Sequence, residues 1–218
     1  MVYAIILAAG IGKRFKYTPI KPLYLVKGKP LFLHSIDTFI TNKKIDKVLL
    51  VINKNYLIHY QKYLQKTKYK NVLICFGDVS ARWKSLIKGV QFANNHFKLQ
   101  PQDILVTHDA ARINVSRKII DKNIEIARKY GFASTVLSLH DSIVEVKEQI
   151  KYLERSHKYI VQTPQTIQYR FWSILNPKNQ KTITDLFTYL NIKLTSKNLV
   201  NGDLQNFKIT TIEDLKLI

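Results

Sequence analysis

Two segments of this chain carry side chains suited to handling phosphate. The first is Leu7-Ala8-Ala9-Gly10-Ile11-Gly12-Lys13-Arg14, followed by Lys21. A glycine-rich turn leaving a strand exposes backbone N–H groups and lets a phosphate chain approach closely. Lys13, Arg14 and Lys21 would supply the positive charge a triphosphate needs. The spacing is neither Gly-x-Gly-x-x-Gly nor a Walker loop, because the Gly-Lys-Ser/Thr ending is missing. Taken alone, the segment reads equally well as a tight turn with exposed basic residues. The second is Thr107-His108-Asp109-Ala110-Ala111-Arg112. A carboxylate on the loop after an apolar strand suits a magnesium ion facing phosphates. Asp109 could also cap a helix starting near Ala110, and His108 is read as an orienting residue rather than a ligand.

These segments need a frame that gathers strand ends. Short apolar runs read as buried strands at Val2–Leu7, Lys47–Ile52, Asn71–Phe76, Asp103–Thr107 and Ala133–Leu139. Between them, Pro30–Thr41, Ile58–Lys66, Arg82–His96 and Arg117–Tyr130 have helical spacing, the last closed by Gly131. Strands alternating with helices imply a parallel sheet covered on both faces. Ligands then bind at the carboxyl ends of strands. That rule selects Ala8–Arg14, Gly77–Arg82 and His108–Arg112. From His140 to Thr163 the pattern becomes alternating, with a turn near Glu148-Gln149, and reads as an antiparallel excursion. A helix over Ile183–Leu190 and a strand near Leu199–Val200 complete the chain. The expectation is one α/β domain over residues 1–218. Its sheet is doubly wound and mostly parallel, with a small antiparallel arm at about 137–161.

The composition excludes several classes. The 218 residues are enough for a core without disulfides, and the single cysteine, Cys75, rules out a disulfide framework or zinc cluster. No apolar run reaches the length of a membrane span. The apolar N-terminus lacks a preceding basic stretch and runs into the glycine turn, so it reads as a strand rather than a signal peptide. A cytoplasmic location is expected. The net charge of +20 suggests nucleic acid at first sight. However, the excess is lysine rather than arginine, is scattered along the chain, and is not interleaved with aromatics as on an RNA-binding sheet. It suits an anionic nucleotide just as well.

The order of these blocks resembles a known family. Leu-Ala-Ala-Gly-x-Gly-x-Arg, then Lys21, then Gly28-Lys29-Pro30 resembles the start of sugar- and polyol-phosphate nucleotidyltransferases. His108-Asp109-Ala110-Ala111-Arg112 narrows the likeness to cytidylyltransferases acting on 2-C-methylerythritol 4-phosphate or ribitol 5-phosphate. Gln162-Thr163-Pro164-Gln165 is a third matching block, with Arg155 eight residues before Thr163. Gly202-Asp203-x-x-Asn206-Phe207-Lys208-Ile209-Thr210-Thr211 is a fourth. Together they span nearly the whole chain.

The resemblance implies that Arg14, Lys21 and Lys208 hold the triphosphate and offset charge at the α-phosphorus. It places Leu7, Ala8, Ala9, Gly10, Gly12, Lys13, Gly77, Asp78, Arg82, Ser85, Asp109 and Ala110 around the nucleotide. Asp109, with Asp203, would hold Mg²⁺. Arg112, Asp141, Ser142, Arg155 and Thr163 would meet the acceptor, the arm reaching across a homodimer. The substrates implied are CTP and a polyol phosphate, with no membrane and no nucleic acid. Since the acceptor's own phosphate oxygen would attack, no paired nucleophile and histidine are needed.

Three departures from the family pattern stand out. Pro22 follows Lys21, the Gly77-Asp78 to Arg82 spacing is longer, and Ile113 stands where proline is usual. The segments Phe39–Leu50, Asp103–Arg112 and Lys118–Glu145 resemble the ribitol-phosphate branch more than the methylerythritol branch. The rival readings are an inactive nucleotide-binding relative, suggested by the stretched Gly77–Arg82 loop, and a nucleic-acid-binding module.

Overall fold

Strand β1 (Val2–Ala8) is buried along its whole length. Its even residues Val2, Ala4, Ile6 and Ala8 enter one hydrophobic cluster, while Tyr3, Ile5 and Leu7 enter another. A strand with no solvent face must be covered on both sides, which is why its sequence is continuously apolar rather than alternating. The computed structural model describes residues 1–17, 19–174 and 185–218.

The seven-stranded sheet also contains β4 (Lys47–Ile52), β5 (Val72–Phe76), β6 (Ile104–Asp109), β7 (Phe132–Ser138), β10 (Tyr159–Gln168) and β11 (Leu199–Asn201), in the order β11-β7-β10-β6-β1-β4-β5. The pairs β6–β1, β1–β4, β4–β5 and β7–β11 are parallel. Strand β10 runs antiparallel to both β6 and β7, with an irregularity between Val161 and Gln165. Helices α1 (Leu31–Ile40), α2 (Leu57–Leu64) and α4 (Arg117–Tyr130) supply the cluster on one face. Helices α3 (Arg82–Phe97), α5 (Tyr169–Ile174) and α6 (Leu186–Leu190) supply the other. The mostly parallel, doubly wound sheet expected from sequence is present.

Two small antiparallel pairs lie outside the main sheet: β2 (Leu25–Val26) with β3 (Lys29–Pro30), and β8 (Ile143–Val146) with β9 (Ile150–Leu153). The second pair is the expected arm. Its residues Val146, Ile150 and Tyr152 are largely exposed. Two expectations need amending. The strand β10, which carries Gln162–Gln165, is not apparent in the hydrophobic pattern because its buried half is rich in glutamine and threonine. The last helix is shorter than Ile183–Leu190: Asp185 is its N-cap, accepting from the Phe187 and Thr188 amides, and Ile183 and Thr184 lie outside the described residues. No described helix is long and apolar enough to cross a membrane.

Candidate active site

Three neighbouring parallel strands, β6, β1 and β4, and the adjacent β5 end on the same edge, and the loops leaving β1, β5 and β6 enclose a cavity of 220 Å³. It is lined by Leu7, Ala8, Ala9, Gly10, Gly12, Arg14, Lys21, Asp78, Arg82, Ser85, Asp109, Ala110 and Lys208, all singled out from the sequence. Pro22, Leu31, Val79, Ala81 and Ala111 line it as well. The side chains of Leu31, Val79 and Ala81 carry no chemical signature, so motif reading passes over them, whereas Pro22 and Ala111 adjoin motif residues. Lys13 is not among the lining residues, and Gly77 sits behind the loop, against Ala9, Ser85 and Val51.

Two of the charged side chains, Arg14 and Lys208, are steadied by an apolar neighbour in sequence. Phe15, Ile113 and Ile209 belong to one small buried cluster with Val26 and Leu31. Phe15 anchors the short 3-10 turn that carries Arg14, and Ile209 anchors Lys208. Ile113, where the family usually has proline, packs into the same cluster, so the turn after Asp109 is held by burial instead of by a ring. Gly12 adopts φ +70, and a Cβ there would meet the Lys21 Cβ at 2.6 Å. Only glycine lets the basic turn lie this close to Lys21. Pro22 sits in the 3-10 turn Lys21–Leu23, where its fixed φ suits the first residues of a helical turn.

Asp109 is the electrostatic hub. Arg82 Nε lies 2.6 Å from Asp109 Oδ1 and Lys208 Nζ 2.8 Å from Oδ2. Burial opposes ionisation of Asp109, but Arg82 and Lys208 outweigh it and hold the carboxyl well below the usual range. Arg82 retains a buried Nη2 without a hydrogen-bond partner. Arg14 makes no hydrogen bond or ion pair among the described residues. Lys21 Nζ donates to the Ile209 carbonyl at 2.7 Å. Burial lowers the Lys21 pKa to about 8; Lys208 and Arg14 push the same way, against Asp109 and Asp214. Ser85 grips the loop opposite, its Oγ accepting from Asp78 N–H at 2.9 Å and donating to Asp78 C=O at 2.6 Å.

Behind the cavity a buried polar network ties β6 to β10 and the C-terminal segment. His108 Nε2 faces the Arg112 carbonyl at 3.0 Å, so it carries the proton. Its Nδ1 therefore accepts from Thr163 Oγ1 at 3.0 Å, and that oxygen accepts from Asp109 N–H at 3.1 Å. Burial pushes the His108 pKa down to about 4, so this neutral arrangement persists at physiological pH. Arg112 Nη1 donates to the Asn206 carbonyl at 2.8 Å.

Several residues expected at the acceptor or metal do not line the cavity. Thr163 and Arg112 are buried in this network and do not line the cavity; the Thr163 hydroxyl is used by His108 and the Asp109 amide, and Arg112 donates to backbone carbonyls. Asp141 and Ser142 are exposed at the base of the arm, and Arg155 donates to the His140 carbonyl there. Asp203 is set apart from Asp109. It lines a separate groove with Ser116 and Lys118, and its carboxylate accepts the Gln205 N–H. Among the described residues no three His, Cys, Asp or Glu side chains cluster. A Mg²⁺ ion characteristically takes one or two carboxylates plus phosphate oxygens and waters. Asp109 fits that donor role, since two of its roughly four acceptor positions are used by Arg82 and Lys208.

The sequence profile of the 2-C-methyl-D-erythritol 4-phosphate cytidylyltransferase family matches residues 2–218. The chain belongs to this family. It is thus a CTP-dependent nucleotidyltransferase of the cytidylyltransferase type. Among solved structures, it is similar to 4-diphosphocytidyl-2C-methyl-D-erythritol synthase from Anaerococcus prevotii, at 27% identity and TM-score 0.78, with 100% of this chain and 93% of that chain covered. It also resembles the 2-C-methyl-D-erythritol 4-phosphate cytidylyltransferase of Francisella tularensis, at 23% identity and TM-score 0.70, covering 99% of this chain and 97% of that one. The Thermus thermophilus enzyme of the same name matches at 20% identity and TM-score 0.67, with 100% and 97% covered. The last two likenesses concern the fold alone. The family assignment agrees with the resemblance carried by the sequence blocks; it lends no support to the ribitol-phosphate branch.

Proposed function

We propose that this cytidylyltransferase transfers CMP from CTP to 2-C-methyl-D-erythritol 4-phosphate and releases pyrophosphate. The observation that carries the reading is the cavity itself. Arg14, Lys21, Arg82 and Lys208 line one cavity with the Asp109 carboxylate, at the strand ends of a chain that matches this family over residues 2–218. The preference for ribitol 5-phosphate drawn from three segments of sequence gives way to the methylerythritol acceptor, because the family profile and the solved relatives carry that name.

The acceptor's phosphate oxygen attacks the α-phosphorus in line, and the bond to the pyrophosphate oxygen breaks. Such a reaction needs positioning and charge stabilisation rather than a covalent intermediate. Arg14, unpartnered among the described residues, takes phosphate oxygens from the glycine-turn side. Lys21, fixed by the Ile209 carbonyl, and Lys208, released from Asp109, face the developing charge at the α-phosphorus. Ser85 holds the Asp78 backbone so that the Gly77–Arg82 loop forms the wall for the base. Asp109 would hold Mg²⁺, which when bound draws the phosphates together and neutralises their charge. Thr163 and Arg112 act from behind by keeping Asp109 in place, while Arg155 and the neighbouring Asp141 and Ser142 approach the acceptor from the arm. Val144, Val146, Ile150 and Tyr152 on that arm are 42%, 68%, 66% and 76% exposed. An apolar surface of this kind supports its burial against a second copy of the chain.

Pyrophosphate release with Mg²⁺ and CTP, offered 2-C-methyl-D-erythritol 4-phosphate and ribitol 5-phosphate in parallel, tests the reading. Turnover with the first acceptor alone is expected. Turnover with ribitol 5-phosphate alone would overturn the acceptor, and CTP binding without turnover on either would point to an inactive relative.

A further inference from the structure

The cavity contains an amine in an unusual setting. Of the 28 lysines in the chain, Lys208 lines the cavity but is tied to Asp109. Lys21 lines it too, forms no ion pair among the described residues, and gives its one hydrogen bond to a neutral carbonyl. Arg14, also lining the cavity, has no partner among them. An anion receptor and a partly desolvated lysine therefore share one enclosed space, where Arg14 and the backbone of the Gly10–Gly12 turn can take a phosphate.

We infer that Lys21 is a covalent capture site for small aldehydes bearing a phosphate, which it binds reversibly as imines in place of CTP. Arg14 and the glycine turn seat the phosphate and bring the carbonyl carbon to Nζ. The unprotonated amine adds its lone pair to that carbon, forming the C–N bond. The carbonyl oxygen takes two protons and leaves as water, giving the imine. No oxidant or reductant is involved. Burial together with Lys208 and Arg14 brings the Lys21 pKa to about 8, against the pull of Asp109 and Asp214. At neutral pH its free-amine fraction therefore exceeds that of an ordinary surface lysine by roughly two orders of magnitude. Because the same groups are proposed to receive the triphosphate, imine and nucleotide exclude one another. The inference needs the cavity, not any particular acceptor.

Pyridoxal 5′-phosphate is the probe, used on the full chain with borohydride trapping and peptide mapping by mass spectrometry. Lys21 should carry at least about tenfold more label than any other lysine, and pyridoxal without phosphate should label it at least about tenfold more slowly. CTP or pyrophosphate should protect it, and Lys21→Arg should lose that label with the fold intact by circular dichroism. Arg14→Gln should remove the advantage of the phosphate-bearing aldehyde while leaving Lys21 in place. Label spread evenly over surface lysines would overturn the inference, as would equal labelling by pyridoxal. Failure of the proposed reaction is read separately, by pyrophosphate release, and protection by pyrophosphate decides the capture site even if CTP does not bind.

Discussion

Replacing Gly12 with alanine perturbs two things at once, and Gly28 separates them. Gly12 has φ +70, and Gly28 has φ +73 in the turn between β2 and β3. A left-handed conformation costs a residue with a Cβ roughly 1–2 kcal/mol, offset by about 0.4–1 kcal/mol because alanine restricts the unfolded chain. Around Gly28 nothing lies within 4 Å of an added Cβ, so Gly28→Ala carries only this backbone term. At Gly12 the new atom meets the Lys21 Cβ at 2.6 Å. Neither atom can rotate away, so backbone must move, adding roughly 1–3 kcal/mol of overpacking. For a chain of this size 1 kcal/mol shifts Tm by about 2–4 °C. Gly28→Ala should therefore lower Tm by no more than about 6 °C, and Gly12→Ala by roughly 2–18 °C and by more than Gly28→Ala. Displacement of a positioning group by about 1 Å can cost about a hundredfold in rate. For Gly12→Ala, kcat/KM for CTP should accordingly fall at least about tenfold, while Gly28→Ala stays within about twofold of the parent. Thermal unfolding and steady-state pyrophosphate release measure both. Equal Tm losses for the two variants, or an unchanged kcat/KM in Gly12→Ala, would refute the claim that this glycine sets the position of Lys21.

Further consequences are testable with the same assays. Since Lys21 works as a cation and its pKa is about 8, kcat/KM for CTP should fall as pH rises through about 8. Lys21→Met should abolish turnover yet raise Tm at pH 7. Its stability advantage should shrink between about 8 and the ordinary 10.5, where the native lysine is neutral in the folded and then in both states. Thr163→Val leaves Asp109 N–H and His108 Nδ1 unpaired, so unfolding by denaturant should show a loss of about 1–3 kcal/mol; Thr163→Ser should restore it. Arg155→Ala should raise KM for the acceptor at least about tenfold while KM for CTP is unchanged, and equal effects on both would remove Arg155 from the acceptor side.

Strands buried on both faces announce themselves, and Val2–Ala8, Lys47–Ile52 and Ile104–Asp109 are legible as apolar runs, as is the half-buried edge strand Val72–Phe76. The charged groups that end at the cavity were legible too, because phosphate chemistry restricts them to a few residue types on loops after strands. Strand β10 escaped the pattern for a physical reason. Gln162, Thr163, Gln165 and Thr166 are buried by virtue of hydrogen bonds to partners far away in sequence, and no local periodicity records such pairings. Arg112 and Thr163 illustrate the same limit. Their types and motif suggest contact with a ligand, whereas their partners are a carbonyl 94 residues away and a histidine 55 residues away. Asp203 shares a motif with Lys208 but, five residues earlier, points into another groove.

Strand β10 passes from the solvent into the core. Tyr159, Ile160 and Val161 are exposed, and Gln162 through Gln168 are buried. The ladder with β7 is regular up to Val161 and resumes at Gln165, and the threonine that receives the Asp109 amide sits in the irregular step between them. The last exposed position beside the arm therefore lies only two residues along the strand from the hydroxyl that holds the backbone of the cavity carboxylate. A body that covers the exposed end would settle against a segment whose next residues are already committed to the interior. The outside surface and the reaction chamber are thus neighbours along the chain as well as in space.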